Sequence, residues 1–364
     1  MSVRRWTFDT RGSVADGVGA VAAVESLVAR RGAERVLVLA NRSVTAVGLT
    51  AMIEGRIGDR HAATYGAIRA NAPHDDVDAA AAAGRAAGCD AIVAIGGSSV
   101  TDAAKMARLE LLGDEPDRET IPLALVPTTL SSGELTAAAG TTGVVAGEKS
   151  YVVDARMAPT LVVLDPEVTL ATPRTLWLSS GVKAIDHACE ALWATRPHPY
   201  SDALAADALR RLLRSLPRSA SDPTDLDARL DAQLGGWFSM AGMTRHGPGP
   251  SHLLGHQLAA RCGVGHGITS CVTLPHVLRF AGSAGHPGAA AVGAALGATD
   301  CEAAAEALAG FVQRLGLPTR LSEVGVDPGA LDEIAAAAHH HGALAGVAVP
   351  GGVAALRGLL AAMW

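Results

Sequence analysis

The chain has 364 residues, 49% of them apolar and 18% charged, with a net charge of −6. That length accommodates two domains and a substantial core, the composition excludes a disordered chain, and the negative balance gives no reason to expect nucleic-acid or anionic-membrane binding. No run of about 18 apolar residues is free of Gly, Pro and polar breaks, so no membrane span is expected, and the opening MSVRRWTFDT lacks the apolar segment of a signal peptide.

In chain order, RVLVLA (35–40), AIVAIGG (91–97), IPLALVPTT (121–129) and TLVVLDP (160–166) are short apolar runs of the kind that form buried parallel strands. Ala-rich helical stretches at 77–87 and 101–111 lie between them. Strand alternating with helix predicts a doubly wound α/β domain over 1–166. From 167 to 364 the pattern becomes helical, broken by Gly and Pro, and predicts an all-helical second domain. The five cysteines form no C-x-x-C pair and are expected as reduced thiols of a cytoplasmic protein.

Three segments carry candidate chemistry. In IGGSSVTDAAK (95–105) a strand ends in Gly96 and Gly97 and a helix follows, so backbone N–H groups and a helix dipole can meet an anion. The spacing is not G-x-G-x-x-G, and a plain tight turn remains an equal reading at this point. VPTTLSSGELT (126–136) sets hydroxyls and a turn at a strand's carboxyl end, where ligands bind in open α/β sheets. In PSHLLGHQLAARCGVGHG (250–267), His252 and His256 share a helix face and His266 follows in a glycine-flanked loop; with His187 they form a candidate polar cluster. The HHH tract at 339–341 points in three directions and reads as a solvated helix end.

Lysine is scarce: Lys105, Lys149 and Lys183 stand against 27 arginines. Lys183 lies in LSSGVKAIDHACEALW (178–193), one turn before His187 on the same face of an apolar helix. Asp186 falls one residue off that face and is expected to point elsewhere, as a salt-bridge or capping partner.

IGGSSVTDAAK, PTTLSSGELT, SSGVKAIDHACEAL and SHLLGHQLAARCGVGHG, in this order and spacing, resemble the iron-containing (group III) alcohol dehydrogenase superfamily, and the short threonine loop resembles its maleylacetate reductase branch. The resemblance implies that Gly96, Gly97, Ser98, Ser99 and Asp102 hold the pyrophosphate of NAD or NADP, with Thr128, Thr129 and Lys149 lining the same site. It places the substrate among His187, His252, His256 and His266, and it implies a homodimer. Members that reject a 2′-phosphate often carry an acidic residue at the place of Asn41; here Asn41 is neutral and Arg42 follows it.

In metal-dependent members the position of Lys183 is an aspartate, which would ligate a metal together with His187, His252 and His266. An ammonium about 4 Å from a divalent ion costs roughly 8 kcal/mol at an effective dielectric near 20, and neutralising the lysine instead costs roughly 4–5 kcal/mol at pH 7. No metal is therefore expected, with the three histidines as its ligands if one binds. The expected activity is NAD(P)H-dependent, metal-independent reduction of a small carbonyl or oxo-acid, with Lys183 stabilising the developing alkoxide and His256 or His187 protonating it. The alternatives are a non-redox lyase or cyclase using Lys183 and the histidines as acid/base groups, and a nucleotide-binding sensor without turnover.

Overall fold

The computed structural model describes residues 12–113, 121–143, 149–193, 198–246, 249–344 and 349–364. It divides into two compact units, Met1–Thr128 with Gly133–Ala171 and Thr129–Ser132 with Thr172–Trp364.

The first unit runs β1 (Ser13–Asp16), α1 (Ala23–Arg30), β2 (Val36–Leu39), α2 (Arg42–Ala46), α3 (Leu49–Ile57), β3 (His61–Tyr65), α4 (His74–Ala86), β4 (Ala91–Gly96), α5 (Ser98–Leu112), β5 (Leu123–Pro127), β6 (Ala138–Thr142), β7 (Lys149–Val153) and β8 (Leu161–Leu164). Six strands form one sheet in the order β1-β8-β5-β4-β2-β3, every pair parallel. Val36 and Val38 face a core containing α1 and α3, while Leu37 and Leu39 face one built on α4 and α5. Burial on both faces is why the interior strands read as unbroken apolar runs. The edge strands β1 and β3 are only half buried and lack that signature. An antiparallel hairpin, β6–β7, stands apart from the sheet.

Chain direction locates the ligand edge. After β2 the chain leaves toward β3, and after β4 it leaves toward β5, so the order reverses between β2 and β4. Open α/β sheets bind ligands at such a reversal, outside the carboxyl ends of the strands. Asn41 and Gly96–Gly97 occupy those ends.

The second unit is helical: α6 (Arg174–Leu192), α7 (Pro199–Ser221), α8 (Leu226–His246), α9 (Pro250–Cys262), α10 (His266–Ser283), α11 (Pro287–Ala295), α12 (Cys301–Arg314), α13 (Leu331–Leu344) and α14 (Gly352–Met363). Every residue of α6 from Trp177 to Leu192 is buried, as expected of a helix surrounded by others. A Cβ on Gly267 would lie 2.6 Å from the Ser179 carbonyl carbon, and one on Gly255 would lie 2.8 Å from Thr269 Oγ1. These close approaches bring the start of α10 against α6 and α9 against α10, so three helices converge near the histidines. Among the described residues no helix is long and apolar enough to cross a membrane. All five cysteines are free, Cys189 and Cys271 buried.

Candidate active site

In the first unit the glycine loop follows from packing. A Cβ on Gly96 would lie 2.7 Å from Val100 Cγ2, and Gly96 has φ +156°, so only glycine fits where the chain turns from β4 into α5. Gly97 caps α5 with no side-chain hydrogen bond and no acidic residue stands in the first turn, which leaves the helix terminus to an anion. Ser99 Oγ accepts a hydrogen bond from the Asn71 N–H at 2.9 Å, and the Asn71 carbonyl accepts one from the Thr142 N–H at 3.2 Å. Thr142 pairs with Lys149 across the hairpin; the Lys149 side chain lies outside the described residues. Asn71 and Ala72 both have positive φ, 64° and 46°. Sequence reasoning missed this loop because neither residue is a glycine.

Asn41 caps α2, its Oδ1 accepting from the Val44 N–H at 2.9 Å, and Arg42 beside it is exposed. Thr128 is buried and its N–H donates to the Gly96 carbonyl at 2.9 Å. Asp102 stands on α5 near Lys105 and Glu134, which are fully buried. Lys105 Nζ donates to the Gly133 and Ala138 carbonyls and to Thr136 Oγ1, at 2.5, 2.9 and 3.1 Å. Burial lowers its pKa to about 8 and raises that of Glu134 to about 7.

In the second unit, α6, α9 and α10 assemble the histidines. Ring centroids run 4.8 Å from His187 to His252, 6.1 Å from His252 to His256 and 5.3 Å from His256 to His266. His187 and His252 are buried, while His256 and His266 are partly exposed. Burial first, then neighbouring positive charge, pushes His187 well below its ordinary pKa and His252 down to about 3, so both are neutral. Thr129, which belongs to this unit, is buried with its hydroxyl 3.3 Å from Ser131 Oγ.

Lys183 joins the cluster, but with company the sequence did not supply. Its Nζ is 3.7 Å from Asp186 Oδ2, longer than a hydrogen bond, and it has no hydrogen-bond acceptor among the described residues. Asp186 does not point elsewhere: Oδ2 lies 3.6 Å from His252 Nδ1 and accepts from Ser251 Oγ at 2.9 Å and Ser270 Oγ at 2.6 Å. The physical reason is that i, i+3 residues share a helix face as i, i+4 residues do, and two serines from α9 and α10 hold the carboxylate inward. Glu190, unmarked by any sequence pattern, completes the arrangement. Its carboxylate accepts the N–H groups of Gly249, Ser251 and His252 at the start of α9, at 2.8, 2.9 and 3.2 Å, and Oε2 lies 2.6 Å from His252 Nδ1. Burial and then the neighbouring Glu190 raise the pKa of Asp186; burial raises that of Glu190 to about 7, and burial lowers that of Lys183.

Asp186, Glu190 and His252 bring one ligand atom each within 4.8 Å of one another, a donor set of the kind that holds divalent transition metals. The Lys183 ammonium stands in the same cluster. His339, His340 and His341 are exposed on α13, with His341 Nδ1 3.3 Å from Gln257 Nε2 on α9.

Residues 12–166 match the family model of iron-containing alcohol dehydrogenase, and residues 177–348 match the C-terminal model of the Fe-containing alcohol dehydrogenase family. The chain is 34% identical to the dehydrogenase ALT3 of Alternaria alternata, covering 68% of this chain and 73% of that protein. It is 30% identical to maleylacetate reductase 1 of Cupriavidus pinatubonensis, covering 86% and 84%. The crystal structure of maleylacetate reductase from Rhizobium sp. strain MTP-10005 superposes with a TM-score of 0.86 at 28% identity, covering 100% of this chain and 99% of that one. The chain belongs to the iron-containing alcohol dehydrogenase family and is an oxidoreductase similar to its maleylacetate reductases.

Proposed function

We propose that the protein is an NAD(P)H-dependent, metal-independent reductase of a small carbonyl or oxo-acid. The observation that carries this reading is a buried ammonium, Lys183, without a hydrogen-bond acceptor among the described residues, in a cluster with four imidazoles. Bound NAD(P)H supplies the hydride that reduces the carbonyl carbon. The chain's part is to accommodate the charge that then builds on the carbonyl oxygen. The Lys183 ammonium answers that charge through donors no other described group uses, and its burial leaves it little screened by solvent. His256 protonates the alkoxide: its partial exposure lets it recharge from water, whereas His187 and His252 are held neutral by burial.

The residues present do not fit a divalent cation in the way the family name implies. The position expected to hold an anionic ligand carries Lys183, and its positive charge stands beside Asp186. A metal there would have to displace or deprotonate the lysine. The nucleotide subsite is supported by the uncapped N-terminus of α5 and its glycine turn. Neutral Asn41 with exposed Arg42 supports acceptance of NADPH as well as NADH.

The experiment is a screen of oxo-acids and aldehydes with NADH and NADPH, following loss of reduced nicotinamide before and after chelation. Consumption that survives chelation is the expected outcome. Activity lost with a stoichiometric metal sinks metal independence. Nucleotide that binds unconsumed while a substrate rearranges replaces the reductase reading with a lyase or cyclase.

A further inference from the structure

The β6–β7 hairpin takes no part in the six-stranded sheet, yet both ends of β6 are moored to α5. At one end Lys105 Nζ donates to the Ala138 carbonyl at 2.9 Å. At the other, the Asn71 carbonyl accepts from the N–H and the hydroxyl of Thr142 at 3.2 and 3.3 Å, and the Asn71 N–H donates to Ser99 Oγ at 2.9 Å. Ser99 and Lys105 are about 9 Å apart along the helix axis, and Ala138 and Thr142 about 13 Å apart along the strand. β6 therefore runs back along the first turns of α5. Gly140, at its middle, comes level with Asp102, which stands between Ser99 and Lys105 in the helix. Tyr151 is the cross-strand partner of Gly140, which has no side chain to cover the ring. The tyrosine is 69% exposed, a large aromatic left open beside the glycine turn.

We propose that Tyr151 is a further residue of the nucleotide site, its ring covering the pyrophosphate of the bound dinucleotide from the hairpin side and its hydroxyl donating to a phosphate oxygen. This rests on the nucleotide subsite proposed above, at the glycine turn and the uncapped start of α5. The chemistry of that subsite asks for such a donor. An ionised Asp102 only accepts hydrogen bonds and repels a phosphate, and the N–H groups at the start of α5 meet the anion from the helix side alone. A phenol on the opposite side donates without adding charge and brings an apolar ring that excludes water. Burial first, then the Asp102 carboxylate, raises the Tyr151 pKa above its ordinary 10, so the hydroxyl keeps its proton at neutral pH. The same coupling agrees with the register, which sets Gly140 and its partner level with Asp102.

The test titrates the full chain with NADH and NADPH, followed by nicotinamide fluorescence, and with ADP-ribose, followed by calorimetry. Tyr151→Ala is expected to weaken all three, which share the pyrophosphate, by about tenfold or more, through loss of ring and hydroxyl together. Tyr151→Phe keeps the ring and is expected to weaken them about fivefold, the effect of one hydrogen bond. Val153→Ala, exposed on the same strand at the Ala138 pair, is expected to leave all three within about twofold. Tyr151→Ala binding as the wild type does, or Val153→Ala losing as much, overturns the proposal. So does a loss confined to NADH and NADPH, which puts the ring on the nicotinamide instead. Should Tyr151→Ala fail to fold by circular dichroism, Tyr151→Phe decides, and unchanged binding there overturns the hydrogen bond. A wild type that binds none of the three ligands refutes the proposed function and this inference with it, whereas binding that ignores Tyr151 refutes this inference alone.

Discussion

Two buried lysines, one in each unit, stand beside carboxylates and differ in what their ammonium groups do. Lys105 spends all three donors, on the Gly133 and Ala138 carbonyls and on Thr136 Oγ1. Lys183 spends none among the described residues and keeps only an ion pair at 3.7 Å. Both have their pKa lowered by burial, so desolvation does not distinguish them. Hydrogen-bond saturation does. A saturated ammonium is a strut that ties α5 to the loop leading into β6, and an unsaturated one has donors left to offer, as the proposed role of Lys183 requires.

The comparison breaks most sharply on Lys105→Met. Three acceptors lose their donor and Glu134 loses its counter-charge, which is expected to cost about 3–5 kcal/mol of stability. Urea unfolding measures this, and kcat per folded molecule should fall less than tenfold. Lys183→Met is expected to differ in activity. It breaks no hydrogen bond but leaves Asp186 without its buried ion-pair partner, which costs stability in its own right; the distinguishing readout is kcat, which falls about 10²–10³-fold with nucleotide affinity retained. A Lys183→Met enzyme keeping more than about a tenth of wild-type kcat would make the second lysine a strut as well.

A pH series sharpens the first half of the comparison. Burial raises Glu134 to about 7 from an ordinary 4.5, so between those values the native state holds a proton that the unfolded chain has released. Its contribution to stability is full below about 4.5 and is lost as pH rises through about 7. Glu134→Gln should flatten that decline by on the order of 3 kcal/mol, read as the difference between the two proteins' unfolding curves. The smallest effect concerns the nucleotide. Asn41→Asp keeps the α2 cap but sets a negative charge beside Arg42, and is expected to lower kcat/KM for NADPH relative to NADH about tenfold. An unchanged ratio would mean that this end of β2 does not meet the 2′-position.

The readable parts of the fold and site were those whose signal is local. β2, β4, β5 and β8 announced themselves because both faces are buried. β1, β3 and the β6–β7 hairpin are partly solvated and mix polar with apolar residues, so no continuous run marked them. His252 and His256 were legible from their spacing and His266 from its glycine loop. Asp186 is the salt-bridge partner its spacing suggested, 3.7 Å from Lys183, but its direction was misread because a strict i, i+4 face was applied where i, i+3 serves as well, and because Ser251 and Ser270, which turn it inward, come from other helices. Glu190 carried no mark at all: its partners lie 59 to 62 residues further along the chain.

That last separation bears on how the protein regains function after denaturation. α6 and α9 can each coil locally on fast timescales, but His252 is not oriented until the Glu190 carboxylate has found the first N–H groups of α9 across some sixty residues, a closure that carries an entropic cost of its own. Helical signal therefore returns before a competent site does. Recovered turnover is the stricter gauge of refolding for this chain, and a preparation judged by its circular dichroism alone can be fully helical and still inert.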